Sequence, residues 1–168
     1  GDVHVIGKDI TRFHAIIWPA MLMGLGVEPP QLIYTHGFIN DANGEIMSKS
    51  MGNGIEPMEI VSAYNTDAFR YYITRHIPLG EDNDFSWERF ETVYNTELGN
   101  ELGNLVQRTA SMIQRYQSGV IGELPESMHD IAPYHDYFDE FRFDQALDYV
   151  WTLIRGLNQY IEDEKPWQ

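Results

Sequence analysis

The sequence predicts an α/β segment followed by an all-α segment, and three observations lead there. Val3-His4-Val5-Ile6-Gly7 reads as a short strand that stops at glycine. Gln31 to Ile39, "QLIYTHGFI", is apolar, β-branched and aromatic, the composition of a second strand. After Ser86 the apolar residues recur at helical spacing almost to the end of the chain.

The elements between these landmarks follow from local chemistry. Asp9 is placed to cap a helix that runs from the first strand to about Gly24. Val27-Glu28-Pro29-Pro30 is a loop. A strand, a helix and a strand joined by short loops form a βαβ unit with a parallel pair. Asp41-Ala42-Asn43-Gly44 is a turn, and it leads into the loop "EIMSKSMGN" over 45–53. Pro57 suits the first turn of a helix over Met58 to Tyr64. Thr66 or Asp67 caps another over Ala68 to His76, which Pro78 stops.

The stretch "LGEDNDFS" at 79–86 is acidic and contains glycine, so the domain boundary is placed there, dividing the chain into 1–84 and 85–168. In the second part a helix over Gly99 to Gln117 has Leu102, Leu105, Val106, Thr109, Met112, Ile113 and Tyr116 as its core face. Asn100, Asn104, Arg108, Ser111 and Arg115 lie opposite. "SGVIGELPES" at 118–127 connects it to a last long helix, Phe143 to about Glu162. Ala146, Leu147, Val150, Trp151, Ile154, Leu157 and Ile161 make a stripe along that helix.

Composition narrows the function classes. With 168 residues, 43% of them hydrophobic, the chain has material for a real core. No apolar run approaches a membrane span, no signal-peptide pattern is present, and there is no cysteine for disulfides or thiolate metal ligation. A cytoplasmic setting without a membrane partner fits these features. The formal net charge of -15 argues against a broad electrostatic grip on nucleic acid. Any nucleic-acid contact must be local. The lysines are Lys8, Lys49 and Lys165 only.

Three groups of residues carry chemistry. Lys49, between Ser48 and Ser50 and before Gly52, is the pattern of an anion cradle: small residues turn backbone N–H groups toward phosphate oxygens and an ammonium supplies charge. Ser48, Ser50 and Asn53 add donors, and Gly52 allows close approach or positive φ. On residue types alone an ordinary exposed loop accounts for it better. Gly7-Lys8-Asp9 ends a strand and opens a helix, where α/β folds bind ligands and where a carboxylate holds ribose hydroxyls. Asp9 as a plain helix cap fits equally. His14 and Trp18, four apart, form either a pocket for an apolar or thioether side chain or ordinary core packing. Asn104 and Arg108, one turn apart, have side chains that read base edges, and Trp167 is able to stack on an unpaired base. A solvated helix face and a capped core are the plainer readings of those three.

In order, "HVIGKDITRFHAIIWPAMLMGLGVEPP", "THGFI", "MSKSMGN", "DAFRYYITRH", "ELGNLVQR" and "NQYIEDEKPW" resemble the methionyl-tRNA synthetase family from residue 3 to residue 167. The MSKS loop alone points only to class I synthetases. "GKDI" with Phe13, His14 and Trp18, together with "KPW", narrows the resemblance to the methionine enzymes.

The resemblance implies a fold: the C-terminal part of a Rossmann-like class I synthetase nucleotide fold, with MSKS loop and connecting helices, over 1–84, and a helical-bundle anticodon-binding domain over 85–168. It implies a methionine–tRNA ligase that activates methionine with ATP and passes it to tRNA(Met) in translation. Gly7, Lys8, Asp9, Met47, Ser48, Lys49 and Ser50 match ATP-binding positions, with Lys49 catalytic. His14 and Trp18 match the methionine pocket. Asn104, Arg108 and Trp167 match the positions that read the CAU anticodon. Magnesium would travel with ATP, and the family's zinc-binding insertion has no counterpart in this chain.

Two departures stand out. Ile46 occupies the first lysine of the family's K-M-S-K-S loop, so one of two positive charges is absent. The family's H-I-G-H motif precedes the matched segment and is not in this chain, which implies a fragment that does not form methionyl-adenylate by itself. A non-catalytic anticodon-binding module and another class I synthetase for an apolar amino acid are the alternatives. Two nucleotide-fold strands without neighbours should expose an edge and an apolar face. The segment before about residue 80 should therefore be less stable than the bundle.

Overall fold

The computed structural model describes residues 3–48, 50–123 and 130–166. The chain forms two compact units, Gly1–Glu56 with Ile77–Ser86, and Pro57–His76 with Trp87–Gln168.

In the first unit β1 (Val3–Gly7) pairs in parallel with β2 (Leu32–His36), Val3 opposite Leu32 and Gly7 opposite His36. The connection is helical but not uniformly so. A 3₁₀ turn (Lys8–Ile10) and a π-helical turn (Phe13–Ile17) precede α1 (Trp18–Gly24). Asp9 does not cap it, since no side chain closes the first turn there. The expected single strand over 31–39 is two: β2 ends at His36, and β3 (Ile39–Asn40) pairs in parallel with β4 (Asn83–Asp84). Gly37 separates them because the backbone of Glu81 runs against it. A Cβ at Gly37 would sit 2.0 Å from the Glu81 carbonyl oxygen. The acidic stretch at 79–86 is thus part of the first unit rather than a bare linker, and Phe85 is buried within it.

This unit buries little. Ile6, Ile77 and Phe85 are buried, while Val5, Ile16, Met21, Met23 and Leu25 are exposed at 57%, 66%, 60%, 69% and 76%.

The second unit is helical. α2 (Pro57–Ala63) and α3 (Thr66–His76) belong to it by packing, although the sequence set them with the first part as connecting helices. Asn65, not Thr66 or Asp67, starts α3: its Oδ1 accepts the Ala68 N–H at 2.7 Å. α4 (Trp87–Val93) passes into a π-helical stretch (Tyr94–Gly103) and then α5 (Asn104–Tyr116). α6 (Ala132–Asp139) leads to α7 (Phe143–Glu164), which ends at Lys165 in left-handed conformation, φ 44°.

The stripe on α7 is the spine of the core. Trp151 and Ile154 are buried with Leu105 of α5, and Tyr71, Leu98, Leu102, Val150 and Ile161 pack around them. Ile60, Tyr72 and Phe90 are almost fully buried, with Tyr72 and Phe90 ring centroids 5.3 Å apart. The expected core face of α5 is only partly realised. Leu105 is buried, but Val106 and Tyr116 are 59% and 46% exposed.

Candidate functional site

Within the first unit the loop that carries the MSKS motif is built on Asp41. Its Oδ1 accepts the N–H groups of Asn43 (2.9 Å) and Glu45 (3.0 Å), the turn chemistry expected of Asp before Asn-Gly. Its Oδ2 accepts from Asn53 Nδ2 at 2.9 Å. The Asn53 side chain, followed by these two backbone N–H groups, holds the Asp41 carboxyl below its usual range. Asn53 Oδ1 accepts the Ser48 N–H at 2.9 Å, and its Nδ2 also reaches the Ile46 carbonyl at 3.4 Å. Ser48 Oγ lies 3.2 Å from Ser50 Oγ and accepts the Met51 N–H at 3.2 Å. Gly52 takes φ 68°, one of the two uses expected of it. Met47 and Ser48 are half-buried and Ser50 is exposed. Lys49 lies outside the described residues.

At the end of β1, Lys8 Nζ is held by both carboxylate oxygens of Asp82, at 2.6 and 2.5 Å, and sits 4.7 Å above the Phe38 ring. Lys8, followed by the Phe38 N–H, holds the Asp82 carboxyl below its usual range. Asp9 is exposed, with Oδ1 beside Gly7: a Cβ on Gly7 would stand 2.7 Å from it. The His14 and Trp18 rings lie 6.1 Å apart, edge to face at 73°. His14 Nδ1 is 3.1 Å from the Ile10 carbonyl oxygen. His4 of β1 joins them at 4.8 Å from Trp18. Sequence reasoning missed His4, because its strand position carries no signal of where α1 crosses.

In the second unit Asn104 and Arg108 line one groove of about 570 Å³ with Gln107, Met112, Arg115 and Glu162. Arg108 Nη2 pairs with Glu162 Oε1 at 2.7 Å, both side chains partly exposed. A neighbouring groove of about 360 Å³ shares Asn104, Arg108 and Glu162 and continues to Arg155 and Asn158. Arg155 Nε donates to Glu101 Oε2 at 3.0 Å. The remaining residue expected here, Trp167, lies outside the described residues. Among the described residues no group of three or more His, Asp or Glu side chains is placed to hold a metal ion, and no helix is long and apolar enough to cross a membrane.

Residues 2–110 match the family described as tRNA synthetases class I (M). The methionine–tRNA ligase of Thermotoga maritima is 42% identical over 99% of this chain. The chain belongs to the methionyl-tRNA synthetase family.

It spans 28% of the Thermotoga protein, and 34% of the methionine–tRNA ligase of Synechocystis, to which it is 38% identical over 99% of its own length. Among solved structures, a methionyl-tRNA synthetase of Mycobacterium tuberculosis bound by methionyl-adenylate superposes with a TM-score of 0.89 at 37% identity. That match takes in 99% of this chain and 35% of that one. The apo form of the M. tuberculosis enzyme gives 0.85 at 34% identity. The fold is therefore that of a class I methionyl-tRNA synthetase: a Rossmann-like part followed by a helical part.

Proposed function

We propose that this chain is the portion of a methionine–tRNA ligase that carries the MSKS loop and most of the anticodon-binding bundle. In the reaction a methionine carboxylate oxygen attacks the α-phosphorus of ATP, forming methionyl-adenylate as pyrophosphate leaves. A hydroxyl at the tRNA 3′ end then takes the methionyl group and AMP departs. The observation that carries this reading is the likeness over 99% of the chain to an enzyme bound by methionyl-adenylate.

The residues take these roles. Asp9 holds the ATP ribose, with Gly7 leaving room for its carboxylate, and Lys8 sits in the same turn. Met47, Ser48, Lys49 and Ser50 close on the triphosphate, and the Lys49 ammonium stabilises the charge that grows on the leaving phosphates. ATP brings magnesium. His14 and Trp18 border the methionine side chain, an aromatic edge suited to a thioether. Asn104, Arg108 and Trp167 read the CAU anticodon by hydrogen bonds and stacking, which reconciles tRNA(Met) binding with a net charge of -15. The nucleotide-binding role falls to 1–84 and the anticodon role to 85–168. The setting is the cytoplasm.

The test is methionine-dependent ATP–pyrophosphate exchange in the natural protein that carries this chain. Exchange with methionine and not with other apolar amino acids is expected. Exchange driven by another amino acid, or none from folded protein, overturns the reading.

A further inference from the structure

We infer that Asp41 and Asn53 are positioning residues: Asn53 joins Ile46 and Ser48 to the turn that Asp41 holds, and this linkage sets the rate at which the loop acts on the triphosphate. This deepens the proposed function and rests on it.

The argument is one of connectivity. Asn53 closes the loop, and through one amide it touches Ser48 and Ile46 near the loop's start and Asp41 in the preceding turn. Asp41 in turn holds its own turn through the Asn43 and Glu45 N–H groups. Asn40 and Ile46 form an antiparallel bridge just outside, so the loop rises from a fixed stem. Every side-chain polar atom of the Asp41–Asn53 pair has a stated partner, and the donor–acceptor order is unambiguous: the Asp41 carboxylate only accepts, and the Asn53 amide donates on one side and accepts on the other. A hydrogen bond to an ionised acceptor is stronger than a neutral one, and Asp41 remains ionised through the neutral range. A loop that adds charge stabilisation to a transition state acts in proportion to how well it is pre-placed. Neither residue touches substrate in this reading.

The polarity of the pair permits a reciprocal test. Asp41→Asn sets two amide N–H groups against each other. If Asn53 flips to relieve this, it sets a donor against the Ser48 N–H. Asn53→Asp sets two carboxylates face to face. The double change Asp41→Asn/Asn53→Asp restores the order of the pair: Asn at 41 accepts the same two backbone N–H groups and donates to Asp at 53, which still accepts from Ser48 and gives up only the long 3.4 Å contact to the Ile46 carbonyl. Methionine-dependent pyrophosphate exchange is measured in the natural protein for wild type, both single variants and the swap, with the thermal midpoint of each. Expected are a fall in kcat of about tenfold or more in each single variant, with KM for methionine unchanged, and recovery of most of that loss in the swap. Single variants at the wild-type rate, or a folded swap no better than the singles, would overturn the inference. Amide hydrogen exchange at Ser48 and Glu45 supplies the second measurement. If wild type shows no methionine-dependent exchange, the function reading has failed, and the latch stands only if these amides exchange faster in the singles and recover in the swap. Amides that do not respond sink it.

Discussion

Arg75 of α3 donates from Nε to Glu97 Oε2 at 3.2 Å, with side-chain exposures of 6% and 13%. The same carboxylate oxygen accepts from His76 Nε2 at 2.9 Å and from the Tyr71 hydroxyl. Arg75 also lies 4.9 Å over the Trp151 ring and pairs with the exposed Asp148 of α7 at 2.8 Å. One half-buried carboxylate thus joins α3 to the π-helical stretch, and one buried guanidinium joins both to α7. Burial pushes Glu97 upward, but the hydrogen bonds from Tyr71 and His76 and the charges of His76 and Arg75 outweigh it, leaving the carboxyl below its usual range.

The first prediction follows from that sign. A depressed carboxyl stabilises the fold above its ordinary value of 4.5 and loses that contribution as pH falls below it. Glu97→Gln should cost about 1–3 kcal/mol at pH 7 by replacing the charged acceptor that Tyr71, Arg75 and His76 share with a neutral one. The cost should shrink as pH drops below about 4.5. Urea unfolding at pH 7 and at successively lower pH measures both, and a cost independent of pH would contradict the account.

The second concerns the core. Ile154 is 8% exposed between Leu105 and Trp151. Ile154→Ala should destabilise the helical unit by about 3 kcal/mol, the transfer loss plus the cavity left behind. Leu157→Ala, one turn on at a position 40% exposed, should cost clearly less. Equal costs would show that the stripe is not packed as described.

The third concerns the groove. Arg108→Ala and Asn104→Ala should each weaken binding of a CAU anticodon stem-loop by about 1–3 kcal/mol and relax the preference against a stem-loop with one altered anticodon base. Trp167→Ala should do the same through lost stacking. Fluorescence titration at fixed salt reads this. Arg115→Ala, also on the groove wall, should lower affinity for both stem-loops alike if it meets only phosphate.

The fourth concerns Lys49. Lys49→Ala should lower kcat for pyrophosphate exchange by about a hundredfold in the natural protein, with KM for methionine little changed, because the lost interaction belongs to the transition state. Ile46→Lys, which restores the family's second cation, should raise the rate. Proportional changes in KM instead would place the loop in ground-state binding.

The fifth concerns the two units. With so few side chains buried in the first, backbone amides over 3–56 should exchange hydrogen faster than those of α5 and α7. Equal protection in this chain would contradict the exposed apolar face.

Strand, turn and helix types were legible because they depend on neighbours in sequence: the short run of β1 that stops at Gly7, Asp before Asn-Gly, and the 3.6-residue stripe on α7. The residue types of the Gly7–Asp9 turn, the 47–50 loop and the Asn104–Arg108 pair were legible too, but on those types alone a helix cap, an exposed loop and a solvated face fit as well, and only the resemblance of the whole string of motifs pointed them toward ATP and an anticodon. Tertiary structure alone decided the rest. Asp82 came to Lys8, and β4 to β3, from more than forty residues away. Glu97 gathered three partners from α3, and Asn53 turned from a free donor into the clasp of its own loop. Periodicity did not foretell the π-helical stretch that precedes α5. A sequence states what each side chain is able to donate, accept or bury. Which partner it meets is set by chain crossings whose free energy is shared over the whole core, and no local stretch records that sum.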